Sequence, residues 1–162
     1  MAQILAVVGK SKSGKTTLIE KLIPELKKRG YCIGSVKHAH HGFEIDRKGK
    51  DSFRHRAAGA DVVVVASPDE IAMVKKVKTD SLDNLDIFFG DMDLVLVEGY
   101  KKTSHPKIEV FDQRSHKVPL RFSKEERIAF VTDDSVEVDA PLYRTDQIVE
   151  LCDLIERRYL KT

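Results

Sequence analysis

The sequence predicts an α/β fold in three layers: a mostly parallel sheet with helices on both faces and a small peripheral strand extension. Three observations predict it. An apolar run, Ile4 to Val8, stops at Gly9 and gives way to apolar positions recurring at three- and four-residue steps. Short apolar runs then return along the chain, one of them carrying four successive valines, 62–65, as strands buried on both faces do. The first run, its helix and the next run have the size of a βαβ unit, so the two strands should be parallel neighbours in one sheet. With 162 residues, 41% of them hydrophobic, one domain over 1–162 with a proper core is the expectation.

The opening unit is the most informative. Between its strand and its helix lies GKSKSGKT, Gly9 to Thr16, which fits G-x-x-x-x-G-K-[ST] at every fixed position. Gly9 and Gly14 let the backbone turn where a Cβ would clash. Successive N–H groups then point into one concavity at the positive end of a helix dipole. Such a concavity binds phosphate, which makes the sheet that of a P-loop NTPase. Lys15 is placed to reach the β- and γ-phosphates and the Thr16 hydroxyl to hold Mg²⁺, with Ser13 and Thr17 as further polar neighbours.

Helix one is expected from Lys15 to Arg29, across Leu18, Ile19, Leu22, Ile23 and Leu26, with Pro24 inside it and Gly30 behind the basic cluster Lys27, Lys28, Arg29. Strand two is Tyr31 to Val36. It leads into residues 37–60, KHAHHGFEIDRKGKDSFRHRAAGA, at the carboxyl edge of the sheet, where open α/β sheets bind ligands. Asp51 and Ser52 are potential caps for a short helix, Ser52 to Ala58, ended by Gly59. Three readings fit this stretch. It is a solvated polar loop with a capped helix. Or it faces the triphosphate, Asp46 organising Mg²⁺ directly or through water while the basic residues neutralise phosphate. Or His38, His40 and His41 form a transition-metal site, without the Cys-x-x-Cys pair that would strengthen it.

Strand three is Asp61 to Ala66, closed by Ser67-Pro68-Asp69. Residues 70–78 read as a short, partly exposed strand, and Leu82 to Phe89 has helical spacing. Leu94 to Val97 is a central strand. An acid that meets Mg²⁺ must lie at the end nearest the phosphate loop. Glu98 is there; Asp93 stands at the other end, on the order of 16 Å away at about 3.3 Å per residue. The Walker B role therefore goes to Glu98, with Asp93 as a turn residue. Gly99 lets the chain bend away beside the phosphates.

Lys107 to Phe111 and Ile128 to Thr132 read as further strands, and 112–127 as a loop, a candidate lid or partner surface. Asp133 and Asp134 follow the second strand, where many P-loop GTPases carry Asn-Lys-x-Asp; that tetrad is absent. Guanine contact and a simple turn both fit the pair. Pro141 to Tyr143 forms a last short strand, and Asp146 caps a terminal helix through Ile148, Leu151, Cys152 and Ile155.

A net charge of +2, without a basic stripe interleaved with aromatics, argues against nucleic acid. No run approaches the length of a membrane span, and no signal peptide precedes the first strand. Cys32 and Cys152 read as buried free thiols of a cytoplasmic protein.

GKSKSGKTT, KHAHHGFEIDRKGKDSFRHRAAGA and DLVLVEGYK, in this order and spacing, resemble the molybdopterin-guanine dinucleotide biosynthesis protein B family. The resemblance is good over residues 3–100. It implies a homodimeric P-loop GTPase-like adaptor, related to nickel-chaperone GTPases and dethiobiotin synthetase. Such an adaptor binds GTP and Mg²⁺, cooperates with the guanylyltransferase that attaches GMP to molybdopterin, with molybdopterin itself a candidate ligand, and hydrolyses GTP slowly. Carried onto this sequence, Gly9, Lys10, Ser11, Lys12, Ser13, Gly14, Lys15, Thr16 and Thr17 bind phosphate beside Gly99, and Thr16, Asp46 and Glu98 hold the metal. Lys15 and the metal supply charge for hydrolysis, and Asp51 is the candidate to orient water. The rival readings are a small-molecule kinase or ligase and a nickel or zinc chaperone GTPase on the same loop.

Overall fold

The computed structural model describes residues 2–39 and 42–161. His40 and His41, two of the three histidines in the proposed transition-metal set, lie outside the described residues. The described chain falls into two compact units, residues 1–38 with 86–162, and residues 39–85.

The first unit carries six parallel strands and two helices. In chain order these are β1 (Gln3–Val8), α1 (Lys15–Lys28), β2 (Ile33–Lys37), then β5 (Leu94–Glu98), β6 (Lys107–Val110), β7 (Arg127–Val131), β8 (Leu142–Tyr143) and α3 (Ile148–Ile155). The sheet order is β2-β5-β1-β6-β7-β8. β1 pairs with β5 and β6, so the opening strand lies inside the sheet, with β5 between it and β2. This is the α/β architecture the periodicity predicts, and it puts the loop after β1 at the carboxyl edge.

The apolar stripe of α1, Leu18, Ile19, Leu22 and Leu26, is buried against Leu5, Val7, Leu94 and Leu96 of the sheet and Leu151, Cys152, Leu154 and Ile155 of α3. Burying a leucine-sized side chain stabilises by roughly 1.5–3 kcal/mol, so this stripe fixes the start of α1, and with it the loop, on the sheet. Arg29, at the end of α1, ties the two helices together through Glu25, Asp153 and Glu156.

Residues 112–126 carry no regular element, Arg127 already opening β7, yet the segment is pinned rather than free. Lys107 and Glu109, both fully buried on β6, face it. Glu109 accepts the Leu120 N–H at 2.6 Å and pairs with Arg127 at 3.1 Å. Lys107 donates to Glu126 at 2.9 Å and lies over the Phe122 ring. A buried charge persists only when paired and hydrogen-bonded, so these bonds hold the segment in one course.

In the second unit α2 (Asp51–Ala57) precedes β3 (Val62–Ala66) and β4 (Ile71–Lys75), an antiparallel ribbon turning at Ser67 to Glu70. This corrects the expectation for the valine run. Among its four valines only Val63 is buried; Val64 and Val65 are about half exposed. A continuous apolar run marks burial on both faces in a parallel sheet, and here it marks an uncovered ribbon.

Smaller differences have local causes. β2 begins at Ile33; ahead of it the Cys32 N–H goes to the Asp93 carboxylate and the Tyr31 hydroxyl donates to Glu156. Residues 82–89 form two short 3₁₀ turns, Leu82–Asn84 and Asp86–Phe88, instead of one helix. Neither Asp51 nor Ser52 caps α2, which follows Lys50; the Ser52 hydroxyl donates to Asp46 at 2.9 Å. Asp146 does not cap α3, which starts after Gln147 without a side-chain cap and runs into a π turn, Glu156–Leu160. Cys152 is buried as expected, whereas Cys32, one residue ahead of the edge strand β2, is exposed.

Candidate functional site

The loop between β1 and α1 turns on two glycines. Gly9 has φ +152, and a Cβ there would lie 2.4 Å from the Val110 carbonyl oxygen and 2.5 Å from Ser13 Oγ. Gly14 has φ +95 and stands immediately before α1, where its carbonyl accepts Leu18 N–H at 2.9 Å. Lys12 also takes a left-handed conformation, φ 64. Such alternation of backbone hand turns successive N–H groups to one side, as in an anion nest.

Three side chains in this loop are set for an anion. Ser13 is buried, and its hydroxyl has no hydrogen-bond partner. A buried polar atom without a partner costs about 1–3 kcal/mol, so this hydroxyl is free to bond an atom entering the loop. Lys15 folds back over the loop and donates to the Lys10 carbonyl at 2.7 Å. Its burial pulls the ammonium pKa below the ordinary lysine value, Glu98 opposing and Lys101 and Lys37 adding to the fall. The Thr16 hydroxyl donates to Glu98 Oε2 at 2.9 Å.

That last contact follows from register. β1 and β5 run parallel with Val7 opposite Glu98, so the acid emerges level with the start of the loop. Gly99 N–H then donates to the Val7 carbonyl at 3.1 Å. Lys37, opposite Glu98 on β2, places its ammonium 3.6 Å from Glu98 Oε1. Asp93 stands at the far end of β5, where its carboxylate accepts the Cys32 N–H at 2.7 Å and its carbonyl the Gln3 N–H at 3.1 Å. A threonine hydroxyl and a carboxylate are hard oxygen donors that suit Mg²⁺. Thr16 and Glu98 are thus brought together in the first unit. Asp46 and Asp51 belong to the second unit, Asp46 accepting from Ser52 and Asp51 lying 3.7 Å from Arg54. Among the described residues no group of three or more His, Cys, Asp or Glu forms a metal cluster.

A cavity of about 460 Å³ opens beside the loop, lined by Gly14, Thr17 and Lys21 from the loop and α1, and by Arg114, Asp133, Asp134 and Thr145. Asp133 accepts both the N–H of Thr145, at 3.1 Å, and its hydroxyl, at 2.5 Å, which holds the Asp133 carboxyl below the usual range. Asp112, held low by Arg114, also lines it. Sequence reasoning reached Asp133 and Asp134 through their position after a strand. It missed Arg114 and Thr145, which carry no motif and reach the cavity only through loop 112–127 and the β8 turn.

A parallel sheet whose central strand feeds a G-x-x-x-x-G-K-T loop, with a carboxylate from the adjacent strand against the threonine, defines a P-loop protein of the α/β class. The family model described as molybdopterin guanine dinucleotide synthesis protein B matches residues 4–133, and the chain belongs to that family. It is similar to a molybdopterin-guanine dinucleotide biosynthesis adapter protein of Haemophilus influenzae, 41% identical over 94% of this chain and 87% of the relative. The Escherichia coli K12 adapter protein is 35% identical over 96% of this chain and 92% of its own length. The crystal structure of Bacillus subtilis MobB superposes with a TM-score of 0.77 at 29% identity, covering 99% of each chain.

Proposed function

We propose that this chain is a GTP- and Mg²⁺-binding adaptor in the formation of molybdopterin guanine dinucleotide. The observation that carries the nucleotide part is the 2.9 Å contact of Thr16 Oγ1 with Glu98 beside an anion nest closed by Lys15. The names of the relatives, adapter proteins in molybdopterin-guanine dinucleotide biosynthesis, support the pathway. On binding, the phosphates replace the Lys10 carbonyl as partner of Lys15 and take the Ser13 hydroxyl. Thr16 and Glu98 would hold Mg²⁺, which would supply positive charge against the β- and γ-phosphates.

The guanylyltransferase partner, molybdopterin as a ligand, slow hydrolysis and a cytoplasmic setting come from the family resemblance. So do the parts given to Asp46 in metal binding and to Asp51 in orienting water. The homodimer has a second support: Val62, Val64 and Ile71, on one face of the β3–β4 ribbon, are 43%, 55% and 76% exposed. A two-stranded sheet is marginal alone and gains by covering such a face.

Calorimetric titration of the whole chain with GTP and with ATP, each with magnesium and with EDTA, tests the reading. Magnesium-dependent binding of GTP is expected. No heat with either triphosphate overturns it.

A further inference from the structure

We infer that Ser115 is a positioning residue of the phosphate nest: its hydroxyl holds Lys12 in the left-handed conformation the nest requires and ties the nest to residues 112–126. This rests on the triphosphate reading above and adds control of the nest from outside it. Lys12 has φ 64, and a lysine in that conformation persists only where its surroundings impose it. The Ser13 N–H donates to the Lys10 carbonyl at 3.3 Å, closing a turn whose third residue is Lys12. A positive φ at that place goes by preference to glycine or asparagine.

Ser115 supplies the constraint that lysine itself lacks. Its hydroxyl donates to the Lys12 carbonyl at 3.0 Å, across 103 residues of sequence. The Lys12 carbonyl and the Ser13 N–H belong to one planar peptide unit. With Ser115 on its oxygen and the Lys10 carbonyl on its N–H, that plane is fixed from both ends. The plane in turn sets the direction in which Ser13 and Gly14 leave the turn.

The segment that carries Ser115 is itself held. The Asp112 carbonyl accepts the N–H groups of Ser115, at 2.9 Å, and of His116, at 3.1 Å, and its carboxylate accepts the Arg114 N–H at 2.8 Å. Phe111, buried one residue past β6, meets the His116 ring edge-on with centroids 5.8 Å apart. Tyr100, also left-handed at φ 50, is braced likewise, its ring stacked on His38 at 4.2 Å. Among the described residues, both non-glycine positions of positive φ are thus held by a side chain from a distant part of the chain.

Without the Ser115 hydroxyl, the left-handed state is one of several that Lys12 populates, and apparent affinity falls with the fraction that remains competent. Calorimetric titration with tripolyphosphate and Mg²⁺ reads this. Ser115→Ala should bind about fivefold more weakly than wild type, the loss of one neutral hydrogen bond, and Ser115→Thr should bind as wild type does. Lys12→Gly makes the left-handed conformation accessible without help, so adding Ser115→Ala to it should change affinity by less than about twofold. Coupling is reciprocal, so a filled nest should protect the turn. Hydrogen exchange at the Ser115 and His116 amides should slow when tripolyphosphate and Mg²⁺ saturate wild type, and stay unmoved in saturated Ser115→Ala.

A merely structural tie would lower the melting temperature of Ser115→Ala and leave its affinity at the wild-type value. That result overturns the inference and leaves the triphosphate reading standing. So does an equal loss in the Lys12→Gly background, or exchange slowed equally in both proteins. Wild-type protein that binds neither tripolyphosphate nor GTP overturns the triphosphate reading itself, and the inference with it.

Discussion

Lys15 shows how much of this chain's chemistry rests on single side chains whose partner is provisional. Its ammonium holds the Lys10 carbonyl at 2.7 Å, a neutral acceptor that a phosphate oxygen outbids because the new bond is charge-assisted. Lys15→Ala should lower triphosphate affinity by on the order of 100-fold while leaving the melting temperature nearly unchanged; titration calorimetry and a thermal melt check this. The two cysteines separate by burial. Cys152 lies in the core and burial pushes its thiol up to about 12, whereas Cys32 is exposed. Native protein should be alkylated at Cys32 alone, read by peptide mass, and Cys152 should react only on unfolding. The raised thiol is neutral in the fold. Its contribution to stability is whole below the ordinary value of 9.0 and is lost as pH climbs toward about 12.

At the scale of elements, the loop after β1 is positioned by the packing of α1, and loop 112–127 by buried charge. Arg127 pairs with Glu109 and donates to the Leu120 carbonyl at 2.6 Å. Arg127→Leu removes both and strands a buried carboxylate, at a cost of about 3–5 kcal/mol in denaturant unfolding. Burial already raises the Glu109 pKa, with Leu120 N–H and Arg127 opposing the rise. Removing Arg127 lifts it further. A raised carboxyl gives stability that is present at low pH and lost as pH rises, so the variant should lose stability with rising pH more steeply than the parent. Adding Glu109→Gln should flatten that dependence.

Elements whose signals are local were legible in the sequence. Gly9 to Thr16, the α1 stripe and the position of Glu98 at the end of β5 all follow from spacing, because a strand-end acid and a strand-end loop must share an edge when the strands are parallel neighbours. The β3 valines misled because composition reports apolarity and not what covers it. Cys32 misled because it falls one residue ahead of β2, and nothing in the local sequence says that this strand starts late and lies at the sheet edge. Thr145 reaches Asp133 across a turn, a proximity that only the sheet order creates.

At the scale of the whole molecule, the exposed ribbon in the second unit and the proposed dimer meet in one prediction. Val64→Lys with Ile71→Lys should shift the sedimentation coefficient from dimer to monomer while triphosphate binding persists; an unchanged dimer would place the interface elsewhere. No helix among the described residues is long and apolar enough to cross a membrane.

The central claim is that Thr16 and Glu98 hold the metal beside the phosphate nest, and Mg²⁺-dependent GTP titration of Glu98→Ala against Asp93→Ala tests it most directly. The account predicts that Glu98→Ala loses most of the magnesium-dependent gain in affinity. Asp93→Ala should keep that gain and lose only about 1 kcal/mol of stability from the Cys32 N–H bond. The reverse ranking, or equal magnesium dependence in both variants, would contradict it.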